Sequence, residues 1–293
     1  MRSDKEVFNQ IMTFAKEDER IKAVYLNGSR TNKNSPKDIF QDFDVVYVVK
    51  DTKDFINDKS WIKYFGEILI KQEPEYNDRW MGREVDFSQR YAYLMLFKDG
   101  IRIDLSFQNI KRAKEAILED KLAIKLLDKE DILPEIQEPT DKQYHVKKPS
   151  EAYFVTRCND FWWCMQNVAK GLFRNEIPYV MDMYNNVIRR HLDNVVDWYI
   201  GINTDFNVST GKMHKYFRRY LPENYYQRYI DTYSDGEIAN IWEAVFNCCD
   251  LFSELAQIVS KELGYSYNNK EEINIKRYLK KVEALPHNAK EIF

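Results

Sequence analysis

Val7, Phe8, Ile11, Met12, Phe14 and Ala15 recur at helical spacing, so the chain is predicted to open with an amphipathic helix that ends near Asp18-Glu19-Arg20. The period then shortens. Ile21-Lys22-Ala23-Val24-Tyr25-Leu26 has the composition of a strand and runs into Asn27-Gly28-Ser29, a turn whose glycine has access to backbone angles closed to other residues. After a polar loop, Phe43-Asp44-Val45-Val46-Tyr47-Val48-Val49 is the strongest β pattern in the chain and is predicted to be a central strand. Trp61 to Ile70 is helical or mixed. Tyr91 to Phe97 and Ile101 to Phe107 are β-rich runs joined by Lys98-Asp99-Gly100, a hairpin signal.

From Ser150 onward strand patterns fade. Ser150 is placed to cap a helix through Phe161, Trp162, Trp163 and Val168. A second long helix is predicted from Ile177 to Tyr199, closed by Gly201, with shorter helical stretches near 211–220 and 223–232 and a long one near 236–263. The expected architecture is α+β: an N-terminal domain over residues 1–135 with a mixed β-sheet and packed helices, a linker at 136–149 rich in Pro and Lys, and a C-terminal α-helical bundle over 150–293. No internal repeat interrupts this order.

Composition narrows the classes of function. The 293 residues include 44 Lys+Arg and 47 Asp+Glu, mixed along the chain without a basic block, so a phosphate-tracking stripe for nucleic acid has no place to form. Aromatic residues make up 15% of the chain, enough large side chains to build cores and exclude general disorder. No apolar run approaches the roughly 20 residues of a membrane span, and the charged N-terminus does not look like a secretion signal. A cytoplasmic location is expected, with a monomer favoured over an obligate oligomer. The four cysteines form no Cys-x-x-Cys pair and the four histidines are scattered, which leaves neither zinc nor a Ser-His-Asp relay a basis.

The chemistry concentrates at two β-segments. Residues i and i+2 of a strand project from one face about 6.6–7 Å apart, so Asp42 and Asp44 aim two carboxylates at one point while Phe43 enters the core. Convergent carboxylates repel unless a cation lies between them, and hard oxygen ligands of this kind suit Mg2+. Gly28-Ser29 offers backbone N–H groups and a hydroxyl to phosphate, with Arg30 as a cationic contact. Asp104, flanked by Ile103 and Leu105, can present a third carboxylate from a neighbouring strand. Among 47 acidic residues an Asp-x-Asp pair alone says little. A hydrophobic-Gly-Ser turn, twelve residues, Asp-Phe-Asp opening a strong strand and a later strand Asp say much more.

Leu26-Asn27-Gly28-Ser29-Arg30-Thr31-Asn32 with Gln41-Asp42-Phe43-Asp44 resembles the signature of the polymerase-β-type nucleotidyltransferases, and more narrowly of the bacterial aminoglycoside 6-adenylyltransferases. The likeness continues through Leu126-Leu127-Asp128-Lys129, Tyr144 to Pro149, Val168 to Leu172, Arg174 to Ile177 and Arg219-Tyr220-Leu221. The resemblance implies transfer of AMP from ATP to the 6-hydroxyl of the streptidine ring of streptomycin, with release of pyrophosphate, and hence antibiotic resistance. It implies that Gly28, Ser29 and Arg30 hold the triphosphate and that Asp42, Asp44 and Asp104 bind Mg2+.

On the second long helix, Asp182 belongs to a polar stripe with Asn186, Arg189 and Asp193, and it is the candidate for accepting the proton of the drug hydroxyl. Streptomycin carries guanidino cations, which carboxylates and aromatic faces attract; Asp86, Asp160, Trp80, Trp162 and Trp163 are available. Two other readings keep to the same residues: a nucleotidyltransferase with a different small-molecule or protein acceptor, and a catalytically silent binding module on the same fold.

Overall fold

The computed structural model describes all 293 residues, which divide into two compact units, Met1–Gln143 and Tyr144–Phe293. The fold is α+β. In the first unit, helix α1 (Asp4–Glu17) begins with a reciprocal cap in which Ser3 accepts from the Glu6 amide and the Glu6 carboxylate accepts from the Ser3 amide. The strands are β1 (Ile21–Asn27), β2 (Phe43–Val49), β3 (Ile68–Gln72), β4 (Arg90–Phe97), β5 (Arg102–Asn109) and β6 (Ala123–Asp128). They form one sheet in the order β3-β4-β5-β2-β1-β6, in which β2 and β5 are parallel and every other pair is antiparallel. Helices α2 (Lys53–Asn57), α3 (Pro74–Trp80) and α4 (Ile110–Glu119) complete the unit.

One face of the sheet carries the larger core. Phe43, Val45, Tyr47, Tyr93, Met95, Leu105 and Phe107 pack with Val7, Ile11 and Ala15 of α1 and with Phe55, Trp61 and Phe65. On the other face, Tyr25, Val46 and Val48 pack with Ala113 and Ile117 of α4. Because side chains alternate, Asp44 shares that second face with Val46 and Val48. It stands near the start of β2 and is half-buried.

The Asp99-Gly100 hairpin is present, with Gly100 at φ +86° and the Phe97 amide donating to Ile101 O at 2.9 Å. Arg2 ties this turn to the N-terminus through a 2.7 Å ion pair with Asp99, which holds that carboxyl far below its usual range. The stretch from Trp61 to Ile70 resolves into a 3-10 turn over Ser60–Phe65 and then β3, an edge strand with Leu69 and Ile70 exposed.

The second unit is helical: α5 (Glu151–Phe173), α6 (Ile177–Met183), a π-helical turn (Tyr184–Ile188), α7 (Arg189–Asn203), α8 (Phe217–Tyr220), α9 (Glu223–Ile230), α10 (Ile238–Leu263) and α11 (Asn269–Glu283). Ser150 caps α5 by accepting from the Tyr153 amide at 3.2 Å. Phe161 of α5 stacks on Phe252 of α10 with ring centroids 3.6 Å apart. No helix is long and apolar enough to cross a membrane.

Two expectations for this unit need correction. Gly201 does not close the second long helix, which continues to Asn203; a Cβ at Gly201 would lie 2.5 Å from the Phe206 ring, so the glycine serves close packing inside the helix. Nor do Asp182, Asn186, Arg189 and Asp193 form one polar stripe along a single helix face. The π-turn inserts a residue into the helical repeat and rotates α7 relative to α6. Asp182 and Asn186 therefore stay outside, while Arg189 is buried over the Tyr233 ring and Asp193 is largely enclosed against the Tyr229 hydroxyl at 2.7 Å. Burial raises the Asp193 carboxyl above its ordinary value.

Candidate active site

The parallel register of β2 and β5 sets Asp44 directly beside Asp104, and Asp42 precedes β2 by one residue. Asp42, Asp44 and Asp104 each offer a carboxylate oxygen, and these oxygens all lie within 4.8 Å of one another. The residues expected to converge are thus brought together. Burial, and after it the charges of Asp42 and Asp104, pushes the Asp44 carboxyl up to about 7. Three acids crowded at one half-buried point favour either a proton or a cation between them, and the all-oxygen donor set fits a hard divalent ion such as Mg2+.

The glycine turn forms the wall of this cluster. Asn27 pairs with Asp44 across β1 and β2, and its side-chain oxygen is buried without a hydrogen-bond partner. Gly28 has φ +73°, and a Cβ there would lie 2.2 Å from Asp44 Oδ2. The position therefore needs glycine twice over: for its backbone angles and for the space that the carboxylate fills. The Gly28 amide donates to Leu122 O at 3.2 Å, so its contribution is this close approach and not a free N–H. Ser29 accepts from Gln41 Nε2 at 3.3 Å and keeps its own hydroxyl proton to donate.

Arg30 is engaged within the protein. Its guanidinium donates to Asp42 O at 2.8 Å, to Gln41 O at 2.6 Å and to the Asp4 carboxylate at 2.7 Å, and it lies 3.5 Å from the centre of the Phe43 ring. With its side chain only 7% exposed, it clamps the segment that delivers Asp42. Arg30→Ala should cost about 1–3 kcal/mol of stability through the loss of these charge-assisted bonds, and should slow catalysis by loosening Asp42. Thermal melts and turnover measured on the same variant test this; an unchanged melt would mean that the clamp contributes nothing to stability.

Sequence reasoning missed Arg102. Its guanidinium grips both oxygens of Asp104, Nε to Oδ1 at 2.8 Å and Nη2 to Oδ2 at 2.5 Å, and Nε lies 3.7 Å from Asp42 Oδ2. The signal was present: Arg102-Ile103-Asp104 repeats the i, i+2 spacing of Asp42-Phe43-Asp44. Asp182 is not among the converging residues; it lies on α6 of the second unit, with Asn186 Nδ2 2.6 Å from one of its oxygens. Of the aromatic candidates for drug contact, Trp162 is core, whereas Trp80 and Trp163 are exposed.

The sequence matches a known family over nearly its whole length. A family model described as streptomycin adenylyltransferase matches residues 1–282. The chain belongs to the streptomycin adenylyltransferase family. An aminoglycoside 6-adenylyltransferase of Campylobacter jejuni is 40% identical over 267 residues, covering 91% of this chain and 91% of that protein. One of Staphylococcus aureus is 35% identical over 281 residues, 96% of this chain and 98% of the other. One of Bacillus subtilis strain 168 is 34% identical over 273 residues, 93% and 95%. The family match spans both units, so helices α5 to α11 belong to the family's architecture as much as the sheet that carries the carboxylates.

Proposed function

We propose that the protein transfers the adenylyl group of ATP to the 6-hydroxyl of the streptidine ring of streptomycin and releases pyrophosphate, inactivating the drug. The observation that carries this reading is the convergence of Asp42, Asp44 and Asp104 beside the Gly28 turn in a member of the streptomycin adenylyltransferase family.

Asp42, Asp44 and Asp104 would hold Mg2+, which, when bound, offsets the charge that develops on the attacking and leaving oxygens in phosphoryl transfer. The protein's own contribution is largely placement. The β2–β5 register holds two of the acids side by side, Arg30 fixes the backbone at Asp42, and Gly28 leaves the Asp44 carboxylate room beside the turn. The Ser29 hydroxyl donates to phosphate. Asp182 accepts the proton of the drug hydroxyl or orients it; its exposed position and its one oxygen not engaged by Asn186 leave the carboxylate accessible for that role.

Pyrophosphate release from Mg-ATP across a panel of antibiotics tests the activity. Release should depend on streptomycin; dependence on another drug would move the acceptor, and release with none of them would refute the reading. Asp182→Asn should slow transfer to streptomycin by about tenfold to a hundredfold or more. Affinity for ATP should stay within about twofold of wild type. Equal loss of both functions, or of neither, would remove Asp182 from the mechanism.

A further inference from the structure

Arg102 lies against the carboxylate cluster. Its fork engages both oxygens of Asp104 and approaches Asp42, so two of the three carboxylates that converge on the site already face a cation supplied by the chain itself. The bidentate guanidinium occupies one lone pair on each oxygen of Asp104 and sets a positive charge beside Asp42, where a divalent ion would need an oxygen of the same carboxylates. The other arginine near the cluster, Arg30, is held by Asp4, Gln41 and Asp42 main chain and is nearly buried. Arg102 is different. Its side chain is 49% exposed, and its bonds in this region are to the acids alone, so it can swing off into solvent without disturbing a core.

We propose that Arg102 is a resident counter-cation that closes the three-carboxylate site, and that a divalent ion binds only by displacing it. The proposal rests on the reading of Asp42, Asp44 and Asp104 as a metal site. Arg102 acts through Asp104 and Asp42, which makes it a positioning residue. In the metal-free protein it holds the acids at the spacing seen here against their mutual repulsion, and in doing so it weakens the site for bare metal.

The test is Mn2+ binding to the nucleotide-free protein at pH 8, read by electron paramagnetic resonance of the free ion, for wild type, Arg102→Gln and Arg102→Lys. Arg102→Gln removes both charge and fork and should bind Mn2+ about tenfold more tightly or better. Arg102→Lys keeps the charge but loses the fork, and should also bind more tightly than wild type, by about threefold. If Arg102→Lys matches wild type while Arg102→Gln tightens, the effect is long-range charge alone and occupancy of the site is overturned. Affinities within about twofold of each other in all three proteins, or weaker binding by either variant, also overturn it while leaving the metal site standing. Mn2+ bound by none of the three would overturn both this proposal and the metal reading. Should Arg102→Gln fail to fold, the lysine variant alone decides between occupancy and its refutation.

Discussion

Asp44→Asn should abolish transfer, lowering turnover by about 10²–10³-fold or more, equivalent to about 3–4 kcal/mol of barrier. The same change should make the metal-free protein more stable above neutral pH. The Asp44 carboxyl is pushed up to about 7 from 3.8, so between those values the folded protein retains a proton that the unfolded chain has released. Stability from this group is therefore greatest in acid and falls as pH rises toward 7, at a cost of about 2–4 kcal/mol once the group is ionised. An amide of the same shape carries no such charge. Thermal melts of both proteins without metal should show Asp44→Asn ahead by several degrees at pH 8 and level with wild type near pH 4. Added Mg2+ should narrow the gap at pH 8 by stabilising wild type alone. An Asp44→Asn protein with ordinary turnover would end the assignment; one that is inactive but no more stable would mean that Asp44 is not strained in the free protein.

Gly28→Ala should be nearly as damaging, by a different route. A methyl group at this position would stand 2.2 Å from Asp44 Oδ2, well inside van der Waals contact, on a residue whose φ of +73° already disfavours a side chain. Either the carboxylate or the turn must move. The stability cost should be about 1–3 kcal/mol, while turnover should fall by at least about 10²-fold because Asp44 leaves the cluster. Joining Gly28→Ala to Asp44→Asn should cost little further activity, since both act through one carboxylate. Circular dichroism to confirm folding and pyrophosphate release to follow turnover suffice. Activity within about threefold of wild type would show that the turn has slack that the structure does not display.

The parts of this protein that could be read in the sequence are those where one physical demand dominates. β2 is buried along almost its whole length, so its apolar run is nearly unbroken; the hairpin carries Asp99-Gly100; Asp44 and Asp104 interrupt apolar strands where only function explains a charge. β3 and β6 escaped because they are the two edges of the sheet. Edge strands bury less and tolerate Lys71 and Lys125, which breaks the pattern. Helix α4 buries only Ala113 and Ile117, and α11 only Leu279 and Val282, too few positions to stand out among their charges. The π-turn escaped for another reason. Tyr184 to Ile188 keeps an apolar rhythm close to 3.6, and the extra residue shows only in which side of the helix Arg189 and Asp193 come to face. Arg102 was passed over because its meaning depends on register: its i, i+2 spacing from Asp104 stands in the sequence, but only the alignment of β5 with β2 shows that it faces the acids.

The parallel pairing of β2 with β5 carries a further consequence. Two strands that run the same way oblige the intervening chain to travel back before the second can begin, and here that return trip, residues 50–101, includes α2, β3, α3 and β4. None of the three acids belongs to it. The excursion instead braces the strand that carries one of them, because β4 pairs with β5, setting Leu94 beside Asp104, and Phe55, Trp61, Phe65 and Tyr93 fill the core beneath the sheet.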